Sequence, residues 1–151
     1  LWTFVSIIFV AYYTAILTSN LTVARIASQI GSPGDLIGKK VCTVANTTSP
    51  PALDRLGVTY TAAPKIEDCY AGLRGGAFEA VVYDAPVLEY YVNHGGAGIA
   101  AIAGPIFKDE DYGIVFPLDS TLKDEADEAL LSIQEDGQYE LLKQKWFGKP
   151  R

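Results

Sequence analysis

Leu1 to Val23 contain no charged residue, and no other stretch of the chain limits its folding as strongly. A run of about 23 residues is long enough to cross a hydrocarbon core as one helix. Trp2 is placed to anchor it at one interface. A secretory signal peptide has a shorter apolar region behind a basic stretch, which this chain lacks. A buried core helix would need polar neighbours on every side, and the segment after Gly31 is too small to provide them. The run is therefore expected to span a membrane. The chain has no methionine, even at position 1, so it is expected to begin inside a longer protein.

The outer half of the run, "AYYTAILTSNLT" from Ala11 to Thr22, is unusually hydroxylated for a lipid-facing segment. On a helix, Ala11, Thr14, Ala15, Thr18 and Thr22 fall within an arc of roughly 100°, and Arg25 extends it. Ile16, Leu17 and Val23 lie away from this stripe, with Asn20 on their side. Small and hydroxyl residues let helices approach closely and bond across the contact. The same stripe, repeated around an axis by several copies, would line a water-filled pore. Geometry alone leaves both readings open.

Gly31, Ser32, Pro33 and Gly34 break the helical pattern, so 24–38 reads as a linker. Beyond it, "KVCTVA" is strand-like, and "SPPALDRLG" is a helix with Pro50 and Pro51 in its first turn. "VTYTAA" is a second strand. "KIEDCYAGLRGG" places Ile66, Cys69, Tyr70 and Leu73 at helical spacing, and "AFEAVVYD" is a third strand ending in Asp84. Alternating strands and helices predict an α/β fold with a mainly parallel sheet.

In such sheets ligands gather at the carboxyl ends of strands. Asn46, Thr47, Thr48 and Ser49 follow the first strand and lead into a helix, where hydroxyls and amides can hold a carboxylate or phosphate. Asp84 ends the third strand and can pair with a cation. Each also has an ordinary explanation as a helix cap. An anion site and a carboxylate on one edge together favour a zwitterion such as an amino acid. The formal net charge of −6 leaves no basic field for nucleic acid.

The stretch Tyr12 to Thr22 resembles the SYTANLAAFLT signature of the pore-lining third transmembrane segment of ionotropic glutamate receptors. It matches at Tyr13, Thr14, Ala15, Leu17, Leu21 and Thr22, and departs at Tyr12, Ile16, Thr18, Ser19 and Asn20, which is nearer the prokaryotic members. "VVYDAPVLEYY", "DYGIVFP" and "KWFG" resemble the second segment of a type II periplasmic binding fold, shared by those receptors and by family 3 solute-binding proteins. The resemblance implies a transmembrane pore helix over 1–23, a linker over 24–38 and ligand-binding lobe 2 over 39–107. It assigns 108–151 to a returning strand and C-terminal helices that pack on a first lobe absent from this chain.

Carried over by resemblance, Thr47 and Thr48 bind the ligand carboxylate, with Asn46 standing where a glycine is usual. Asp84 pairs with the ligand amino group, and Tyr112 borders the pocket. The pore and gate residues become Tyr13, Thr14, Ala15, Leu17, Thr18 and Thr22. The arginine that the family uses for the α-carboxylate belongs to the other lobe, so neither Arg55 nor Arg74 takes that role. The implied protein is a homotetrameric amino-acid-gated channel of the cell membrane, with its binding domain on the periplasmic or extracellular side. The alternative is a membrane-anchored amino-acid-binding component of an uptake transporter.

In the tail, "YGIVFP" reads as a returning strand, and Leu122, Ala126, Ala129, Leu130 and Ile133 share one face of a helix that Gly137 ends. That face, with Leu141, Leu142, Trp146 and Phe147, is expected to stay exposed on this chain alone. No acid, base and nucleophile set is evident, and His94 sits in a Gly-rich loop, so no enzyme is expected. Neither glycine cluster has a nucleotide-binding pattern, and no cofactor or metal is implied. Cys42 on a strand and Cys69 on a helix read as buried free thiols, with a disulfide open if the two elements pack. The N-x-T sequons at Asn20 and Asn46 read as chance matches, because a glycan at either would obstruct the proposed function.

Overall fold

The computed structural model describes the backbone of residues 2–28 and 30–148, with side-chain surroundings for 2–18 and 30–148. The chain divides into two compact units, 1–107 and 108–151, described separately below.

In the first unit, helix α1 runs Trp2–Ser28, past Val23 and into the stretch read as linker. Its side chains from Trp2 to Leu17 are exposed. The hydroxyl of Ser6 donates to the Trp2 carbonyl (3.0 Å) and that of Thr14 to the Val10 carbonyl (2.6 Å), so each is satisfied within the helix. Among the described residues no helix is long and apolar enough to cross a membrane. The described side chains of α1 stop at Thr18, short of the roughly 20 residues that a span requires. Thr22, Asn20 and Arg25 lie outside them.

The α/β core follows as β1 (Val41–Val44), α2 (Ser49–Arg55), β2 (Tyr60–Ala63), α3 (Ile66–Arg74), β3 (Ala80–Val81) and α4 (Ala85–Asn93). The sheet order is β2-β1-β3, and both pairings are parallel. Central β1 is buried along its whole length, as its continuous apolar run requires. Side chains alternate across it. Val41 joins Leu53 of α2 with Ile30, Leu36, Val58 and Val82, whereas Cys42 joins Cys69 of α3 with Ala63. Helices α2 and α3 therefore cover opposite faces.

Cys42 and Cys69 form a disulfide, which corrects the expectation of free thiols. The cause is packing: α3 lies on the face to which Cys42 points and brings the two Cα atoms to 5.6 Å, within bridging range.

The second unit contains α5 (Leu122–Glu135) and α6 (Gln138–Phe147), which pack together. Gly137, at φ +77°, stands between them in the left-handed conformation that ends α5. Neither helix buries a residue, and Leu122 (59 % exposed), Leu141 (67 %) and Trp146 (46 %) display the expected uncovered apolar surface. Tyr112 to Pro117 form no strand, contrary to the returning strand expected there. A strand needs a ladder partner, and this unit contains only helices among its described elements.

Candidate ligand-binding edge

The parallel register pairs Val41 with Ala80 and Cys42 with Val81. A bond from the Val82 amide to the Cys42 carbonyl (2.9 Å) carries the β1–β3 pairing past Val81. On the other side, the Ala45 amide donates to the Ala63 carbonyl (2.8 Å). Because β1 and β3 are neighbouring parallel strands, the turns that follow them leave the same edge of the sheet. Asn46 to Ser49 and Asp84 share one edge.

The chain departs from β1 through Asn46 at φ +59°. This left-handed conformation is the one glycine enters freely, and asparagine is among the few other residues that tolerate it. Asn46 thereby makes a turn that most other side chains would strain. Thr47 is half-buried, and its hydroxyl donates back to the Val44 carbonyl (2.8 Å), closing the turn on the strand end. Thr48 precedes α2 in helical geometry (φ −80°, ψ −16°), and its side chain makes no capping bond. Ser49 is buried. Pro50 and Pro51 carry no N–H, so the free amide donors at this end of α2 are those of the turn.

Asp84 is half-buried at the start of α4. Its carbonyl accepts from the amides of Val87 and Leu88, both at 3.1 Å, so its backbone begins the helix while its carboxylate makes no capping bond. Neither Thr48 nor Asp84 is therefore explained as a side-chain cap. Helix α4 is held against α3 by Tyr70 and Tyr91, whose rings stack at 3.7 Å between centroids. The Tyr70 hydroxyl donates to the Val87 carbonyl (3.4 Å). Burial, followed by Tyr91, Glu67 and Tyr83, pushes that hydroxyl up to about 12, so it remains a donor at neutral pH. A Cβ at Gly96 would lie 2.5 Å from the Tyr91 ring, so only glycine lets the loop after α4 close over it.

Tyr112 belongs to the second unit and is 71 % exposed. Of the pore set, Tyr13, Thr14, Ala15, Leu17 and Thr18 lie on α1 in its described part. The sequence places Tyr70 at helical spacing without showing its stack on Tyr91, marks neither Tyr91 nor Gly96 as holding α4, and reads Asp35 only as the start of a turn-rich approach to the next element. The Ser-x-x-Asp spacing of Ser32 and Asp35 was the signal for its capping box.

No family model matches the chain. A three-layer fold with opposed helices around a parallel sheet, and a polar edge where β1 and β3 end, is nevertheless that of a periplasmic-binding-protein-like α/β domain. The ligand-binding core of GluR0 from Nostoc punctiforme, solved with L-glutamate, superposes with a TM-score of 0.64 and 38 % identity, over 81 % of this chain and 57 % of that one. An ancestral arginine-binding protein, solved with glutamine, superposes at 0.62 with 32 % identity, over 81 % and 56 %. In sequence, Glutamate receptor 3.2 of Arabidopsis thaliana is 30 % identical across 99 % of this chain.

The chain is a homologue of glutamate receptors built on the type II periplasmic binding fold. It spans only 17 % of the length of the Arabidopsis relative. The proteins it matches are receptors and amino-acid-binding proteins, not enzymes.

Proposed function

We propose that the chain is the pore helix and second ligand-binding lobe of an amino-acid-gated ion channel. The observation that carries this reading is the parallel pairing of β1 with β3, which sends the Asn46–Ser49 turn and Asp84 off the same edge of the sheet. In this reading the amides of Asn46, Thr47 and Thr48 and the Thr48 hydroxyl take a ligand carboxylate, Asp84 takes the amino group, and Tyr112 is a further ligand-binding residue. A first lobe of the same polypeptide completes the pocket and covers the apolar face of α5 and α6.

Helix α1 spans the membrane over 1–23, with the binding domain on the periplasmic or extracellular side. Four copies turn Tyr13, Thr14, Ala15, Leu17, Thr18 and Thr22 toward a common axis. Ligand held between lobes favours their closed arrangement, and that closure pulls on α1 and opens the pore. Only a difference in ligand affinity between open and closed lobes can drive this.

The likeness to an arginine-binding protein supports a second reading, a membrane-anchored amino-acid-binding component of an uptake transporter. Current across a planar bilayer containing the full-length protein separates the two. Amino-acid-dependent unitary currents, altered by Thr14→Ala or Thr18→Ala, are expected for the channel. Silence from protein that binds amino acid in the same sample overturns it in favour of the anchored binder.

A further inference from the structure

Helix α3 is fixed to the sheet by covalent and packing contacts together. Cys69 is bonded to Cys42 of the central strand, and the Phe78 ring lies so close to Gly72 that a Cβ there would collide with it. Ile66, Phe78 and Val81 pack around the same cluster as the two cysteines. Close-packed contacts of this kind make α3 a firm reference for whatever rests on it.

The start of α4 rests on it through Tyr70. This residue follows Cys69 directly, is 9 % exposed, stacks on Tyr91 of α4 with the ring planes 3° apart, and donates its hydroxyl to the Val87 carbonyl (3.4 Å). Val87 lies in the first turn of α4, and its own amide donates to the Asp84 carbonyl (3.1 Å). The Tyr70 hydroxyl is thus joined to the Asp84 backbone through a single residue. Tyr83, the residue before Asp84, is among the groups that raise the pKa of that hydroxyl, after burial, Tyr91 and Glu67.

The other half of the candidate site leaves the same strand that holds Cys42. The disulfide, Tyr70 and Val87 therefore run from β1, which leads into the Asn46–Ser49 turn, to Asp84. Asp84 stands two residues beyond Val82, whose amide bonds the Cys42 carbonyl (2.9 Å), and its own carbonyl is engaged by α4.

We propose that Tyr70 is a positioning residue for Asp84: it fixes the first turn of α4 on α3, holds Asp84 in place on the edge shared with the Asn46–Ser49 turn, and so helps to set affinity for the ligand amino group. This rests on the amino-acid-binding reading of the edge. The alternative is that β3 alone places Asp84 and Tyr70 only fills the space between helices. Its loss would then lower stability and leave the site as it was.

The test uses the full-length protein with Tyr70→Phe, which keeps the ring and removes the hydroxyl, and with Tyr70→Leu, which removes the stack as well. Each is made alone and together with Asp84→Asn. Affinity is measured by calorimetry with the proteinogenic L-amino acids, L-glutamate first, and stability by urea titration. Val58→Ala, in the cluster on the α2 face, supplies a loss of stability away from α4. Affinity for the amino acid that binds is expected to fall ~3-fold in Tyr70→Phe and ~10-fold or more in Tyr70→Leu, to change less than ~2-fold when either is added to Asp84→Asn, and to stay within ~2-fold in Val58→Ala. Exchange at the Val87 and Leu88 amides, both bonded to the Asp84 carbonyl, is expected to speed up ~10-fold or more in Tyr70→Leu.

Equal falls with and without Asp84→Asn overturn action through Asp84. Affinity unchanged by Tyr70→Leu overturns positioning altogether, and so does an equal fall in a Val58→Ala protein of matched stability. If the unmodified protein binds none of the amino acids, the binding reading of the edge falls. Exchange then still decides the hold of Tyr70 on the start of α4: faster exchange upholds it, and unchanged exchange overturns it.

Discussion

Cys42 and Cys69, 27 residues apart in sequence, are bonded to each other, which joins the central strand of the sheet directly to α3. Both are fully buried, in the apolar cluster between the sheet and α3. Closing a loop of this length restricts the unfolded chain by about 3.5 kcal/mol. The double substitution Cys42→Ser/Cys69→Ser is expected to lower unfolding stability of the complete two-lobe domain by about that amount, read by urea titration. An unchanged midpoint would mean that strain or cavity terms cancel the constraint.

The sheet could be read from the sequence because apolar runs bounded by turn residues, with Pro50 and Pro51 opening a helix, leave little besides β-α-β alternation. Other features depended on partners invisible in one dimension. The disulfide required knowing that Cys42 points to the α3 face rather than the α2 face, and moving the strand register by one residue reverses that. Tyr112 to Pro117 carry strand-like residues, but their own unit supplies no strand to pair with. The stretch 24–38 has the glycine and proline content of a loose linker, yet Ile30 and Leu36 are core residues, and Asp35 binds the backbone between them. On the candidate edge, the turn and the acid were each legible as residues. Their juxtaposition required the β1–β3 pairing.

The fit of Gly96 under Tyr91 gives a paired prediction. Gly96→Ala drives a Cβ to 2.5 Å from a ring atom already stacked on Tyr70, and should destabilise the domain by about 1–3 kcal/mol. Tyr91→Phe removes a buried hydroxyl that has no hydrogen-bond partner, so stability should hold or rise by up to about 1 kcal/mol. Thermal melts of the two variants should therefore move in different directions. A large loss in Tyr91→Phe would indicate that the hydroxyl has a partner after all.

Glu79 gives a pH dependence. Its carboxylate accepts from the Lys40 amide (3.0 Å) and from the Lys39 ammonium (3.3 Å), clasping the start of β1 beside β3. The Lys40 amide first, then Lys39, hold its pKa below the ordinary 4.5. Because the folded value is the lower one, the unfolded chain binds more protons in the interval between them. Its contribution is present above pH 4.5 and is lost as pH falls through the lower folded value. Asp35, also lowered, acts in the same direction below 3.8. Denaturant midpoints should decline as pH falls below this range, and Glu79→Gln should make that decline shallower. Parallel curves for the two proteins would show that Glu79 contributes nothing to acid sensitivity.

The ligand edge makes the most demanding prediction, because its two halves should fail differently. Asp84 carries the charge that an amino group would meet in a half-buried position, so Asp84→Asn removes one partner of a desolvated pair. Amino-acid affinity of the complete two-lobe domain should fall ~100-fold or more by calorimetry. Thr48→Ala removes one neutral donor while the turn and its amides remain, for a loss of ~10-fold. Thr47→Ala should cost more than Thr48→Ala, because the Thr47 hydroxyl closes the turn on Val44 and its loss frees the turn that presents the amides. Asn46→Gly preserves the left-handed turn at φ +59° and should leave binding nearly unchanged, whereas Asn46→Val, strained in that conformation, should not. Equal affinities for Asp84→Asn and the unmodified domain would remove Asp84 from the site. Equal affinities for Asn46→Val and Asn46→Gly would remove the conformation of the turn from the explanation.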